Sequence, residues 1–345
     1  MFLEYFERYG SSEKGDNKMM LVTGSKGFIG NRFVQMTRDL EKIISTDILP
    51  ANVNDGTIYY SLDLSNSKSY GIFDRLEELE TIVHCAAIKS PEECQKYPTR
   101  AFNTNIIGTL NLLELARRKD VKKFIYVSTG GIYKNSKPDD IVTEEWPIDP
   151  RGLYAVSKVA AEFTVRDFSL NYGIDAAAVR ITAPYGPGMF KITSDSKIPD
   201  ALNRHTLIFA LKCVRQENII MPFGGDHTIN YTFVDDIVSA MQLMTKVKLG
   251  GFEAFNVTGG KNYKIADVGN VVQEICPNIK VKIGNGNLLS SKEKDPMLSR
   301  LDIIQGLFDS SKASKMLGYK PKFTLKEGME RLILDLRSQI GSPKS

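Results

Sequence analysis

Short apolar runs and helical stretches alternate along the first half of the chain, and this alternation constrains the fold more than any other feature. The β-like runs are Met20–Thr23, Ile43–Thr46, Thr81–Cys85, Lys123–Ser128 and Ala176–Ile181. The helical stretches between them are Phe28–Leu40, Ser67–Leu76, Pro98–Lys119 and Tyr154–Tyr172. Apolar strands separated by helices are typical of a parallel sheet covered on both faces. We therefore predict an α/β fold with a doubly wound parallel sheet.

Beyond about residue 184 the alternation weakens, which indicates a second, smaller region. A loop-rich stretch at 184–203 precedes a helix at about 205–216 and a strand at 219–223. A helical stretch follows at 232–247, and Asp235 and Asp236 can cap it. The remaining elements are β-like pieces at 254–257 and 280–283 and an amphipathic end at 325–339.

These patterns divide the chain into three parts. Residues 1–18 form an N-terminal extension, whose apolar-aromatic start can either dock as a helix or fray. Residues 19–183 form the domain with the sheet, which parts of 225–260 complete. Residues 184–224 and 261–345 form a smaller, discontinuous α/β region, to which we assign substrate binding.

The composition excludes several classes of protein. Of the 345 residues, 42% are hydrophobic and 25% are charged, which excludes a disordered chain. The net charge of +4 is spread along the chain, whereas nucleic-acid-binding proteins concentrate their basic residues. No apolar run is long enough for a membrane helix. The N-terminal residues include acids, whereas a signal peptide begins with a basic segment followed by an apolar one. We expect a soluble, cytoplasmic protein without a nucleic-acid or membrane partner.

The cysteines and histidines indicate neither a disulfide framework nor a metal site. The four cysteines form no CxxC pair, and His84, His205 and His227 lie far apart in the sequence. Sparse cysteine in a chain of this length fits a reducing compartment. No metal is predicted.

A glycine-rich loop joins the first strand to the first helix. In the segment Thr23–Gly30, Gly24 allows a tight turn, Gly27 lets the backbone approach a pyrophosphate, and Gly30 lets the helix pack closely on the sheet. The helix N-terminus then offers free N–H groups to an anion. The strand before the loop and the helix after it predict a dinucleotide site in a Rossmann-type fold.

Asp47 ends the second predicted strand, 17 residues beyond Gly30. A carboxylate near this offset binds the ribose hydroxyls of the adenosine half and repels a 2′-phosphate. No Arg or Lys follows directly, so NAD is favoured over NADP. The alternative is that Asp47 caps a turn at the end of the strand.

Tyr154 and Lys158 lie four residues apart and therefore one helix turn from each other. An enzyme that oxidises an alcohol needs a group to take the hydroxyl proton, and a nearby cation can lower the pKa of a phenol from about 10. An exposed helix is the alternative for such a pair. Ser128 and Thr129 end the preceding strand, where ligands bind in open α/β sheets, and this favours a proton-transfer site.

These motifs resemble those of the extended short-chain dehydrogenase/reductases, and more narrowly the NAD-dependent sugar epimerase/dehydratase group. The resemblance covers about residues 19–335. Its first motifs are Thr23–Gly30, His84–Ala87, Asn105 with Gly108 and Thr109, Ser128 with Thr129, and Tyr154 with Lys158. Its later motifs are Arg180 with Pro184–Pro187, Phe233–Asp236, Asp309–Ala313, Leu317–Pro321 and Leu325–Ile333.

The resemblance implies a role for individual residues. Tyr154 is the general acid/base, Lys158 lowers its pKa and holds the nicotinamide ribose, and Thr129 binds the reacting hydroxyl. The implied NAD contacts are Gly24, Gly27, Phe28, Ile29, Gly30, Asp47, Asp63, Leu64, Cys85, Ala86, Ala87, Lys89, Asn105, Tyr154, Lys158 and Thr182. His84 and Cys85 can equally be core residues.

The family also implies a homodimer that forms through two helices, here at about 101–118 and 153–172. The first of these carries an apolar stripe, at Ile106, Leu110, Leu113 and Leu115, that fits such an interface. A stripe that faces the protein's own core would look the same.

Several positions depart from the family pattern, all of them in the substrate half. Gly130 and Gly131 stand where sugar 4,6-dehydratases have an Asp-Glu pair, which argues against that reaction. Ile229 and Ser299 replace two diphosphate-binding arginines, and Ala183 replaces an asparagine. The candidate substrate contacts are Thr129, Gly130, Gly131, Lys191, Lys197, Arg204 and Arg300, although the four cations can equally be surface charges.

The favoured function is that of an NAD-dependent oxidoreductase on a nucleotide-activated sugar, working as a 4-epimerase through a transient 4-keto intermediate. The alternatives are a net sugar C4 dehydrogenase or ketoreductase and a dehydrogenase of another small alcohol. A non-catalytic NAD-binding regulator is the least favoured, because Thr129, Tyr154 and Lys158 are all present.

Overall fold

The computed structural model describes residues 18–50, 56–74, 78–192, 204–288 and 306–341, and the chain forms two compact units. The first unit contains the chain up to Thr129 together with Gly152–Val179 and Met241–Phe255. The second contains Gly130–Arg151, Arg180–Ala240 and the chain from Asn256 onward. Residues 130–151 thus group with the second unit, whereas the sequence analysis places them with the sheet. The N-terminal extension lies, except for Lys18, outside the described residues.

Fifteen strands lie within the described ranges. They are β1 (Met19–Thr23), β2 (Lys42–Asp47), β3 (Ile58–Ser61), β4 (Leu79–His84), β5 (Lys123–Thr129), β6 (Ile141–Val142), β7 (Asp175–Ile181), β8 (Pro184–Tyr185), β9 (Ile219–Met221), β10 (Thr228–Ile229), β11 (Thr232–Phe233), β12 (Phe252–Val257), β13 (Tyr263–Lys264), β14 (Val281–Ile283) and β15 (Leu307–Phe308).

Ten α-helices connect or flank these strands in the same part of the chain. They are α1 (Phe28–Thr37), α2 (Pro91–Lys96), α3 (Pro98–Phe102), α4 (Gly108–Arg118), α5 (Gly152–Tyr172), α6 (His205–Val214), α7 (Val234–Lys246), α8 (Ile265–Ile275), α9 (Ser311–Leu317) and α10 (Leu325–Gly341). None of these helices is long and apolar enough to cross a membrane.

A seven-stranded parallel sheet forms the centre of the fold, in the order β12-β7-β5-β4-β1-β2-β3. The strand order reverses next to β1, which pairs with β2 on one side and with β4 on the other. In this register Thr23 lies opposite both Thr46 and His84, so the carboxyl ends of the three strands are level. The predicted doubly wound α/β fold is confirmed. The half-buried edge strand β3 was not predicted, because its sequence is short and partly polar.

Two predicted helices have a different form. The stretch at 67–76 is a 3₁₀ helix, Ser67–Phe73. The single helix expected at 98–119 is instead α3, a π-helical turn at Asn103–Ile107 and α4. Asp235 and Asp236 lie in the first turn of α7, as expected of acids at a helix start. The Asp236 carboxylate does not act as the predicted cap, because it accepts hydrogen bonds from the backbone N–H groups of Lys322 (2.8 Å) and Phe323 (3.3 Å).

The apolar stripe on α4 faces the core of the first unit. Of the four predicted stripe residues, Leu113 and Leu115 are at most 1% exposed and pack in the cluster around the central sheet. Ile106 lies in the π-helical turn before α4 and is half-buried. Leu110 is half-buried against the same cluster. The burial of this stripe within the chain therefore removes it as support for a dimer interface.

The described part of the second unit has its own core, and its strands form short pairs. α6, α8 and α10 bury Phe209, Val268 and Leu332 in one cluster. The strands pair as β8 with β11, β6 with β15, β9 with β14, and β10 with β13. A disulfide joins Cys213 of α6 to Cys276, at a Cα–Cα distance of 6.0 Å. Their sequence separation of 63 residues left no pattern from which the pair could be predicted.

Candidate active site

The glycine loop turns where the structure leaves no space for a side chain. Gly24 has a φ of 66°, and a Cβ there would lie 2.6 Å from the backbone N of Ala86. A Cβ at Gly30 would lie 2.2 Å from the Gly24 carbonyl oxygen. The first hydrogen bond of α1 runs from Asn31 N–H to Gly27 C=O, so the three amides before Asn31 point out of the helix end. This is the geometry that an anionic pyrophosphate needs.

Ser25 in the glycine loop adds a feature that no sequence motif indicates. Its hydroxyl is fully buried and has no hydrogen-bond partner among the residues that the structure describes. A buried hydroxyl normally finds a partner, so an orphaned one beside the glycine loop suits a bound polar group. The loop, the helix end and Ser25 together fit a dinucleotide.

Asp47 ends β2 next to the glycine loop. One of its carboxylate oxygens accepts a hydrogen bond from Lys26 N–H (3.0 Å), and the other accepts one from Leu49 N–H (3.3 Å). The bond to Leu49 is the turn-capping contact of the alternative interpretation. The bond to Lys26 fixes the carboxylate beside the loop, and the predicted ribose contact remains a prediction.

Most of the other predicted NAD contacts follow the carboxyl ends of β3 and β4. Asp63 accepts hydrogen bonds from the N–H (2.9 Å) and hydroxyl (2.8 Å) of Ser65, and Leu64 is buried in the core. Cys85 N–H donates to the Thr23 carbonyl (3.2 Å) beside β1. Burial raises the pKa of the Cys85 thiol to about 12, so the thiol is neutral at physiological pH. The loops after five neighbouring strands, β3-β2-β1-β4-β5, therefore carry the candidate site.

Tyr154 and Lys158 lie in the first two turns of α5, the helix that follows the end of β5. Tyr154 packs against Ile88, Cys94 and Ala101, and the Thr129 hydroxyl hydrogen-bonds to its phenol. Lys158 is 3% exposed, with its Nζ 4.1 Å from the centre of the Tyr126 ring. The structure thus brings the three predicted catalytic residues together and contradicts the exposed-helix alternative.

Burial disfavours the charged forms of both Tyr154 and Lys158, so it raises the pKa of the phenol and lowers that of the amine. The pKa of Tyr154 is raised to about 12, mainly by burial and also by Cys94, and the Thr129 hydrogen bond offsets only part of this. Burial lowers the pKa of Lys158 to about 7. The phenol is therefore protonated at neutral pH in this structure, whereas the sequence analysis expected a lowered pKa. The reason is that burial of the phenol disfavours its charged form.

Asn105 lies in the π-helical turn and joins two parts of the site. Its side-chain amide donates to the Ile88 carbonyl (3.0 Å) and to the Ser157 hydroxyl (2.9 Å), while its oxygen accepts from Ile88 N–H (2.8 Å). Ser157 in turn donates to the Tyr154 carbonyl (2.8 Å). Both amide hydrogens of Asn105 are thus used within the protein, and this residue holds α5 against the loop after β4.

His84 connects the end of β4 to the same network. Its Nδ1 lies 2.7 Å from the Thr23 hydroxyl, and its Nε2 lies 2.9 Å from the Thr109 hydroxyl. Because Thr109 donates its own hydrogen to the Asn105 carbonyl (2.7 Å), Nε2 carries the imidazole proton and Nδ1 accepts from Thr23. Burial, with a smaller effect from Lys158, lowers the pKa of His84 to about 3. His84 is therefore a neutral core residue.

We expect His84 to make the fold sensitive to acid. Its pKa in the folded protein, about 3, lies below the usual value of 6.5, so the unfolded chain takes up the proton first as the pH falls. The stabilisation is complete above about pH 6.5 and is lost as the pH falls towards about 3, by up to about 5 kcal/mol.

The measurement is urea unfolding at several pH values between about 7 and 4. The free energy of unfolding should fall more steeply with acid in the unsubstituted protein than in the His84→Gln variant, whose side chain does not titrate. Parallel slopes in the two proteins would contradict the prediction.

The remaining candidate residues belong to the second unit. A Cβ at Gly130 would lie 2.6 Å from the Phe308 ring and 2.9 Å from the Thr182 methyl, so no carboxylate side chain fits there. Thr182 donates its hydroxyl hydrogen to Asn230 (2.9 Å). Lys191 is exposed and Arg204 is half-buried before α6, while Lys197 and Arg300 lie outside the described residues. The substrate roles of these residues remain predictions.

The family model of the NAD dependent epimerase/dehydratase family matches residues 20–258 of the chain. The chain belongs to this family. Its cofactor is NAD, and it is an enzyme of the extended short-chain dehydrogenase/reductase type, as the sequence analysis expected.

Relatives and solved structures of this family resemble the chain over most of its length. UDP-glucuronate 4-epimerase of Thermodesulfobacterium geofontis is 28% identical in an alignment of 334 positions that covers 91% of this chain and 94% of the relative. UDP-glucuronic acid decarboxylase 6 of Arabidopsis thaliana is 28% identical and shares 95% of this chain and 91% of its own length. The crystal structure of UDP-glucose 4-epimerase from Thermotoga maritima, with UDP-glucose, is 26% identical. It has a TM-score of 0.77 and covers 93% of this chain and 99% of its own.

Proposed function

We propose that this member of the epimerase/dehydratase family interconverts the C4 epimers of a UDP-sugar through a transient 4-keto sugar. The observation that carries the proposal is the group formed by Thr129, Tyr154 and Lys158 at the carboxyl end of the sheet, beside the glycine loop. Relatives that act as 4-epimerases on UDP-sugars support this choice of substrate and reaction.

Tyr154 carries the proton in this reaction. Bound NAD supplies the acceptor, and later the donor, of the hydride at C4. Tyr154 takes the C4 hydroxyl proton during oxidation and returns it when the ketone is reduced from its other face. Thr129 orients the phenol oxygen through its hydrogen bond. Bringing the pKa of this phenol from about 12 to about 7 corresponds to about 7 kcal/mol. A charged Lys158, one helix turn away, would supply part of this by favouring the phenolate.

The packing around Gly130 supports a reaction without elimination. A 4,6-dehydratase needs a carboxylate pair after the threonine, and here that position is closed by Phe308 and Thr182. Gly131 likewise brings no acid. Neither residue can take part in proton transfer, and the phenol of Tyr154 remains the group for the C4 hydroxyl.

Decarboxylation of a UDP-glucuronic acid is the second candidate, because relatives with that activity match nearly the whole chain. A ketone at C4 is β to the C6 carboxylate of such a sugar, so oxidation at C4 makes loss of CO₂ chemically easy. The first step and the role of Tyr154 are the same in both reactions. The two functions differ in the fate of the ketone.

Product analysis tests the proposal. The purified enzyme is incubated with UDP-glucose, UDP-glucuronic acid, UDP-N-acetylglucosamine and, for comparison, GDP- and dTDP-sugars. The C4 epimer without net NADH absorbance supports epimerisation, and CO₂ with a UDP-pentose supports decarboxylation instead. Steady NADH accumulation with a single substrate would favour a net dehydrogenase. The absence of any sugar product with all substrates would contradict the proposal.

We also propose that the enzyme is a homodimer that uses α5. This helix exposes Phe163 (39%) and Leu170 (71%), which lie seven residues apart and therefore on one face. Exposed apolar side chains grouped on one element are typical of an interface. Light scattering coupled to size-exclusion chromatography measures the state directly, and the substitution Leu170→Glu should shift it towards monomer.

A further inference from the structure

A carboxyl group and an ammonium group are both buried on one face of α5. Glu162 is 0% exposed and Lys158 is 3% exposed, and they lie one helix turn apart. A buried charge is stable only where partners compensate for the water that it loses. Glu162 has no part in the mechanism described above, so its burial next to Lys158 needs an explanation.

Ser128 holds this carboxylate at the end of β5. The Ser128 hydroxyl donates a hydrogen bond to Glu162 Oε2 at 2.5 Å, and both residues are buried. The next residue, Thr129, makes the hydrogen bond to the Tyr154 phenol. The hydroxyls at the end of β5 thus orient the groups one helix turn before and one turn after Lys158. Thr129 holds the Tyr154 phenol, and Ser128 holds the Glu162 carboxylate.

The other titratable groups around Lys158 are neutral near physiological pH. These groups are His84 and Cys85 at the end of β4, Tyr126 on β5, Tyr154 on α5, and Cys94 on α2 beside Tyr154, whose thiol pKa is raised by burial. Burial raises the pKa of the Cys85 thiol and of the Tyr126 phenol, and it lowers the pKa of His84. Among the described residues, Glu162 is thus the carboxyl group in the set of titratable side chains around Lys158.

We propose that Glu162 is a positioning residue of the reaction: its carboxylate, oriented by Ser128, keeps the side chain of Lys158 in its charged form beside Tyr154. This inference rests on the proposed roles of Tyr154 and Lys158. Burial brings the pKa of Lys158 down to about 7, and Cys85 and Glu162 act in the opposite direction. Because the Cys85 thiol is neutral, Glu162 is the group that opposes the loss of the lysine charge.

The test is the substitution Glu162→Gln, which keeps the shape of the side chain and its acceptor for Ser128. NMR of carbon-labelled lysine follows the titration of Lys158, whose signal is assigned by its loss in Lys158→Met. We expect the titration midpoint to fall by about one pH unit or more, because the ammonium loses its negative neighbour. The alkaline limb of the kcat profile should move to lower pH by the same amount, with about tenfold lower turnover near neutrality.

Two further variants keep the test decisive. Ser128→Ala removes only the hydroxyl that orients the carboxylate, and it should shift the midpoint in the same direction by a smaller amount, even if Glu162→Gln does not fold. Glu41→Gln removes an exposed charge from the same unit and should leave the midpoint and the profile unchanged.

An unchanged lysine midpoint in folded Glu162→Gln, or in Ser128→Ala where the first variant does not fold, would overturn the inference. A lower turnover at all pH values without a shifted limb would do the same, since it indicates packing alone. The NMR titration does not depend on turnover. A failure of the proposed function, shown by an absence of sugar product, is therefore distinguishable from a failure of the role of Glu162.

Discussion

Replacing Tyr154 with Phe is expected to lower turnover about 10³-fold and to weaken NAD binding by much less, about tenfold at most, since it removes one hydroxyl among the implied NAD contacts. General acid–base groups contribute about 10² to 10⁴ in rate, and this substitution removes the hydroxyl that moves the proton. The ring that packs against Ile88, Cys94 and Ala101 is retained, so the fold and the glycine loop should be unaffected.

Turnover of the best UDP-sugar substrate and calorimetric NAD titration are the two measurements. Tyr172→Phe is the matched control, since it makes the same change on the same helix at an exposed position. Turnover within about tenfold of the unsubstituted enzyme would remove Tyr154 from the reaction and with it the proposed mechanism.

Replacing Gly24 with Ala should weaken NAD binding by more than about 100-fold. A left-handed φ costs a non-glycine residue about 1–2 kcal/mol, and at this position the new Cβ would also meet the backbone of Ala86 at 2.6 Å. The backbone has to move to relieve that contact, which displaces the amides at the start of α1 from the pyrophosphate.

Gly173→Ala separates the two causes. Gly173 has nearly the same φ, 69°, but nothing lies within 4 Å of its Cβ position. It should therefore show the loss of stability from backbone strain in a thermal melt, without a loss of NAD affinity. Equal NAD affinities in the two variants would show that the close approach of Gly24 to Ala86 has no part in cofactor binding.

The parts of the site that could be predicted from the sequence are those that depend on neighbours along the chain. The spacing of Gly24, Gly27 and Gly30 predicts a turn followed by a helix start. The four-residue spacing of Tyr154 and Lys158 predicts that both lie on one helix face. The strand pattern then places all of them at the same edge of the sheet. Local sequence was sufficient because each of these relations spans only a few residues.

The parts that could not be predicted depend on groups distant in the sequence. Asp236 looked like a helix cap, but its carboxylate binds backbone N–H groups 86 and 87 residues further on. The pKa of Tyr154 is raised because the phenol is buried against segments that its own helix does not contain. The two threonines that hydrogen-bond to His84 lie 61 and 25 residues away along the chain, so no local pattern predicts these contacts.

The π-helical turn at Asn103–Ile107 restricts how this chain can change over evolution. A π turn holds one residue more than the α-helical turn that it replaces. Deleting that residue would restore a regular helix of better intrinsic stability, but it would rotate everything before it by about 100° relative to α4. Asn105 would then leave Ile88 and Ser157, and α5 would lose its tie to the loop after β4. Loss of the extra residue in the π turn would therefore also misalign the active site.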